Sequence, residues 1–285
     1  MASFLYPIIH PIYINTKIET KLLFSPRFKI IKCNNCGYGF YDRKISMQIL
    51  KKYYRNIYWQ ACGLDKSKYY DDNLFLQNNR ANGQYNFVKK ELDNLEKINI
   101  LEIGAGSSLT SRMIKYKNKD KTVTIDVVEP GIGWTDYYNA HDINKVADFF
   151  PFPSRVKYNY IHTSHWLEHT LDLKNTTRKI NELLISGGYL FVEVPNCTSD
   201  YFKLDYGDTP HIHFITETSL VTFFRNNGFK KIRSGTYGLT NREDCIYRNK
   251  KQKPIDSIYE EAINSVKYSV LRKNGENLRT LFRKI

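Results

Sequence analysis

Three stretches of this sequence bring acids, bases and glycines together at spacings that could act on a ligand. The first reads NILEIGAGSSL, with Glu102 two residues ahead of Gly104, and Ala105 and Gly106 completing the turn. Glycines let a backbone approach a ligand closely, and a helix N-terminus beyond them offers unpaired N–H groups. A carboxylate at Glu102 would repel a pyrophosphate, so a dinucleotide fits poorly and a cationic ligand fits better. The second stretch is Glu129-Pro130-Gly131. A carboxylate at such a strand end can accept hydrogen bonds from both hydroxyls of a ribose. The third is Ser164-His165-Trp166-Leu167-Glu168-His169, followed later by His211-Ile212-His213. Histidine is a suitable general base for a hydroxyl or amine near neutral pH.

His165, Glu168 and His169 also form H-x-x-E-H, which on a helix shares one face. A zinc-peptidase site of that kind needs a long helix and further ligands, and the strand context disfavours it. The stretch also resembles the E-x-x-E-H, with a later His, of metal-dependent O-methyltransferases; here His165 replaces the first Glu, and because Mg²⁺ prefers oxygen donors that weakens a hard-cation site, and no metal is assigned there.

The elements that must position these groups follow from the pattern of apolar residues. Runs at 98–103, 122–128, 158–163 and 189–194 read as strands, and each leads toward one of the polar stretches. Between them, 109–115 and 174–184 read as helices. Residues 80–97 read as a helix with Phe87, Val88, Leu92 and Leu95 as its stripe. A further helix spans 217–227, and 230–238 with 243–248 reads as a closing antiparallel hairpin. Strand and helix alternating in this way predict a mostly parallel sheet covered on both faces. The usual third glycine of G-x-G-x-x-G is missing, because position 109 is Leu.

E-I-G-A-G resembles motif I of the class I S-adenosylmethionine-dependent methyltransferases. S-H-W-L-E-H is similar to the segment after strand four in a large subgroup of them, and H-I-H-F resembles that subgroup's loop after strand five. The resemblance spans about residues 80–248 and implies a Rossmann-like sheet of seven strands. It implies S-adenosylmethionine held by Arg80, Gln84, Glu102, Gly104, Ala105, Gly106, Glu129, Pro130 and Ser164. It assigns the adenine to Asp142 and Ile143, as residues at the end of the third strand. His165, His211 and His213 become the candidate catalytic residues on the acceptor side.

Phe28 to Phe40 carries Cys33-x-x-Cys36-Gly37, half of a zinc knuckle. The stretch resembles the N-terminal zinc-ribbon module of some sugar and polysaccharide methyltransferases, but the first C-x-x-C is absent. Only His10 and Cys62 are nearby further ligands, so a knuckle without metal is expected. Residues 45–59 have aromatics at helical spacing, with Tyr53, Tyr54, Tyr58 and Trp59 packing on the core or walling a substrate pocket. The organisation expected is an appendage over 1–70, a methyltransferase domain over 71–248 and a basic helical tail over 249–285, with a helix at 258–271 and a short basic end.

The chain of 285 residues carries 25% charged residues and a formal charge of +14. That excess favours an anionic partner, although it is spread along the chain and accompanies an Asn-, Ile- and Tyr-rich composition. Five cysteines at irregular spacing argue against a disulfide framework. The short N-terminal apolar run is interrupted by Pro7, His10 and Pro11, no membrane span is expected, and a cytoplasmic protein is the simplest reading. The acceptor expected is the hydroxyl of a small sugar or phosphorylated sugar, as in surface-polysaccharide pathways. RNA is the alternative acceptor, and a non-catalytic cofactor-binding scaffold is the alternative of another class.

Overall fold

The computed structural model describes residues 30–41, 46–56, 58, 75–198, 200–204, 211–245 and 271–285. Ile98, Ile100, Leu101 and Ile103 of β3 (Lys97–Ile103) have no exposed surface, as expected of a parallel strand covered on both faces. Before it runs α2 (Asn79–Asp93), whose first turn is capped by the Asn78 side chain accepting from the Ala81 N–H at 2.8 Å. After it come α3 (Leu109–Lys117), β4 (Thr122–Val128), α4 (Thr135–Ala140) and β5 (Asn144–Ala147). Then follow β6 (Tyr158–Ser164), α5 (Leu173–Leu183) and β7 (Leu184–Pro195). The chain closes with α6 (Glu217–Arg225), β9 (Phe229–Thr240) and β10 (Gly275–Lys284).

These strands form one sheet of seven in the order β5-β4-β3-β6-β7-β10-β9. The first five are parallel, and β10 runs antiparallel to both β7 and β9. This is the doubly wound α/β sheet expected. The C-terminal ends of β3, β4, β5, β6 and β7 therefore share one edge, where such sheets place a ligand crevice.

Two readings of the C-terminal region are corrected. The partner of β9 is not 243–248, since 241–245 is helical. The residues expected as a basic end are instead β10, in which Leu278, Arg279, Thr280, Leu281 and Phe282 are all fully buried. The helix expected at 258–271 lies outside the described residues, apart from Leu271.

The N-terminal elements are β1 (Ile30–Lys32), β2 (Gly39–Tyr41) and α1 (Met47–Asn56). They are not an independent unit, because β8 (His213–Phe214), from the loop after β7, completes their sheet in the order β1-β2-β8. Phe214 meets the edge of Tyr41 at 5.5 Å, in a small core that includes Ile30, Leu50 and Ile212. The Cys33–Cys36 turn docks on α6, with Thr216 Oγ1 donating to the Cys36 carbonyl at 2.6 Å. His10, Cys62 and Trp59 lie outside the described residues. Among the described residues no helix is long and apolar enough to cross a membrane.

Candidate active site

At the end of β3 the chain turns sharply: Gly104, Gly106 and Ser108 all have positive φ, at 70°, 50° and 51°. Gly104 is required sterically as well, since a Cβ there would lie 2.5 Å from Trp166 Cδ1. Glu102 is 6% exposed, and its Oε2 accepts from the hydroxyls of Ser108 and Ser111. Its carboxylate thus ties the turn to the first turn of α3. Burial pushes the Glu102 carboxyl up to about 7, against the pull of the two serine hydroxyls.

Glu129 stands beside this turn at the exit of β4 and is 3% exposed. Its Oε2 accepts from the Gly106 N–H at 2.8 Å and its Oε1 from the Gly131 N–H at 2.7 Å. The half-buried Pro130 lies between the two. Tyr138 donates its hydroxyl to the Gly106 carbonyl at 2.6 Å and closes the turn from below.

Asp142 and Ile143 do not belong to this edge. They precede β5, at the opposite end of the strand from Glu129. The Asp142 side chain is 93% exposed and pairs with Lys115 at 2.7 Å, while Ile143 is buried in the core. The residue that leaves β5 on the crevice side is Asp148, next to Ala147, whose carbonyl accepts from the Glu129 N–H at 3.1 Å. Asp148 is ion-paired with Arg55 of α1 and with Lys145.

Arg80 and Gln84 converge on a carboxylate of the protein itself. Glu193 of β7 has no exposed surface; its Oε1 accepts from Arg80 Nε at 3.0 Å, Gln84 Nε2 at 2.8 Å and Ser164 Oγ at 3.0 Å. Its Oε2 accepts from Arg279 Nε of β10 at 2.5 Å. Burial opposes the charge, but Arg279 and Arg80 hold Glu193 well below the usual carboxylate range. Arg80 also donates to Ser164 Oγ at 2.8 Å. The three residues expected at the cofactor are thus a braced wall of the crevice.

The histidines expected on the acceptor side separate into two kinds. His213 is fully engaged: Nε2 donates to the Thr170 carbonyl at 2.7 Å and Nδ1 accepts from Tyr38 OH at 2.6 Å. Burial holds it neutral, with a pKa lowered to about 4, so it ties β8 down. His165, His169 and His211 instead surround Glu168. Glu168 Oε1 lies 3.4 Å from His165 Nδ1, 3.8 Å from His169 Nε2 and 4.0 Å from His211 Nε2. His165 has a φ of 50°, and its Nε2 donates to Asn277 Oδ1 at 2.8 Å. Burial and Arg80 oppose a charge on His165, but Glu168 and Glu193 prevail and raise it to about 10. Held as a cation, it is a poor proton acceptor.

Sequence reasoning missed Glu193, Arg279, Asn277 and Asp148. Glu193 had a signal, being the one charge within the apolar run FVEVP, since a charge buried in a strand requires a partner. Nothing local marks Arg279, because its partner is 86 positions away.

A seven-stranded sheet with one antiparallel strand, a glycine turn and acids at successive strand ends defines a methyltransferase class of fold. The chain belongs to the methyltransferase-domain family, which it matches over residues 74–234. It is an enzyme of methyl transfer, and S-adenosylmethionine is its methyl donor. Among solved structures it is similar to magnesium protoporphyrin IX methyltransferase from Synechocystis PCC 6803, crystallised with bound SAH. That match has a TM-score of 0.55 at 9% identity and covers 84% of this chain and 100% of that one. A SAM-dependent methyltransferase from Thermotoga maritima matches with a TM-score of 0.52 at 14% identity, over 80% of this chain and 99% of that one. Coclaurine N-methyltransferase bound to N-methylheliamine and SAH matches with a TM-score of 0.50 at 13% identity, over 72% of each chain. At these identities the likeness is one of fold. No curated protein matches the chain.

Proposed function

We propose that the chain transfers a methyl group to a hydroxyl of a small anionic or carbohydrate acceptor, with the cofactor lying across the ends of β3, β4 and β5. The observation that carries this is Glu129, a buried carboxylate anchored by two backbone N–H groups beside the glycine turn. The donor set fits the cofactor: the Glu129 carboxylate stands at the exit of β4 where ribose hydroxyls would donate to it, and Asp148 offers a carboxylate to an adenine amine. Neither would tolerate a pyrophosphate. Bound there, S-adenosylmethionine supplies a methyl already activated on sulfur.

The protein's own part is alignment and proton removal. Arg80, Gln84 and Ser164, locked on Glu193, keep the crevice wall rigid. The hydroxyl proton leaves to solvent on the open side of the histidine cluster around Glu168, which sits after β6 where the acceptor would approach. His165, as a cation, orients the acceptor and compensates negative charge on it. The +14 charge supports an anionic acceptor.

The test is calorimetry with S-adenosylhomocysteine. Glu129→Ala should weaken binding by about 1.5–3 kcal/mol, roughly tenfold or more. Unchanged affinity would remove Glu129 from the site, and no binding by the unmutated protein would sink the cofactor assignment. A screen with labelled cofactor against sugar phosphates, nucleotide sugars and total RNA then identifies the acceptor.

A further inference from the structure

Glu168 poses a problem of hydrogen bonding. It is 1% exposed, and neither of its carboxylate oxygens has a hydrogen bond. Its backbone is well held, with the Glu168 carbonyl accepting from the Ile212 N–H at 2.8 Å. The side chain nevertheless points into a ring of imidazoles that stand too far away for hydrogen bonds. The separations of 3.4, 3.8 and 4.0 Å from Oε1 all exceed hydrogen-bonding contact.

They do suit atoms that share a metal. Ligands bound at about 2.0–2.2 Å in a tetrahedral array stand about 3.3–3.6 Å from one another. One ligand atom each from Glu168, His169 and His211 already falls within 4.8 Å of the others. Contractions of about a few tenths of an ångström from Glu168 to each imidazole, and of up to about an ångström between the imidazoles, within the reach of side-chain rotations, would complete the array.

The surrounding contacts aim the ligating nitrogens. His169 Nδ1 bonds Tyr54 OH at 2.8 Å, which turns Nε2 toward Glu168. Such a bond on the remote nitrogen is how a ligating imidazole is oriented. The cluster is closed at Glu168 and His169, whose side chains are 1% and 9% exposed. It opens at His211 and His165, at 19% and 28%.

We propose that Glu168, His169 and His211 bind one first-row divalent cation of the Zn²⁺ type, with at least one coordination position open beside His165. Two imidazoles and one carboxylate select such an ion over Mg²⁺ or Ca²⁺, which want oxygen ligands. His211 reaches the site from the loop after β7, more than forty residues beyond Glu168, and H-x-x-E-H alone does not reveal it. The site lies on the acceptor side of the proposed reaction, but its occupancy can be read without any methyl transfer, so the two stand or fall separately.

Co²⁺ is the probe, added to chelator-treated, tag-free full-length protein. The expected result is one Co²⁺ per chain with visible d–d absorption and no thiolate charge-transfer band. His211→Ala and Glu168→Gln should each weaken Co²⁺ binding by about tenfold or more, with an unchanged far-ultraviolet circular dichroism spectrum. Should Glu168→Gln not fold, the half-exposed His211 variant decides alone. Absence of stoichiometric Co²⁺ would overturn the proposal, and so would equal affinity in His211→Ala. A thiolate band lost in Cys36→Ser would also overturn it, by placing the metal in the knuckle; in the absence of metal, protonated histidines alone balance Glu168.

Discussion

Glu102 couples the glycine turn to pH. Its folded carboxyl titrates at about 7, against about 4.5 for the unfolded chain. Between those values the folded state binds more protons, so its contribution to stability is present below about pH 4.5 and is lost as pH rises through 7. The loss is on the order of 3 kcal/mol in the ligand-free protein. Urea denaturation of wild type against Glu102→Gln checks this: the wild type should lose ground steadily from pH 5 to pH 8. A difference that does not change with pH would mean that Glu102 is ionised throughout. Glu102 and Glu129 could be singled out in the sequence because each stands at the end of an apolar strand beside a glycine turn. Asp142 was misread for a matching reason. β5 is only four residues long, Asn144–Ala147, with no buried residue to mark it, so its two ends look alike in sequence.

The element hardest to read is β10. Its apolar residues alternate with Asn277, Arg279 and Thr280, which look like surface positions until β7 and β9 close over them. Parallel strands such as β3 announce themselves as continuous apolar runs, whereas this strand is recognisable only with its partners in view. Arg279 lies over the Tyr237 ring at 4.3 Å and bonds Glu193, so one side chain ties three strands of the sheet. Removing it leaves Glu193 buried with Arg80 as its one remaining guanidinium partner among the described residues. Arg279→Ala should therefore cost about 3–5 kcal/mol of unfolding free energy. Arg279→Lys should recover only part, because an ammonium lacks the planar fork. Equilibrium unfolding with intrinsic fluorescence measures both, and a change below about 1 kcal/mol would show that solvent or other groups reach Glu193.

At the scale of the whole molecule, acidic and basic character are separated in function. The C-terminal edge of the sheet carries Glu102, Glu129 and Asp148, which suits the proposed cationic cofactor, yet the chain carries +14. The N-terminal sheet is stitched to the acceptor side through β8 and through the Tyr38 and Tyr54 hydroxyls on His213 and His169. The N-terminal sheet thus forms part of the face that carries the histidine cluster and that the proposed acceptor would approach. If the positive excess steers an anionic acceptor to that face, long-range attraction should raise the encounter rate and fade with salt. The kcat/KM for a phosphorylated acceptor found in the labelled-cofactor screen should fall about 3–10-fold between about 50 and 300 mM salt. A neutral sugar acceptor should show no such fall, and S-adenosylhomocysteine affinity should hardly move. Equal salt dependence for charged and neutral acceptors would make the basicity a property of untuned surface. Labelling confined to RNA, with binding that weakens steeply as salt rises, would replace the carbohydrate acceptor with a polyanion that releases many counterions.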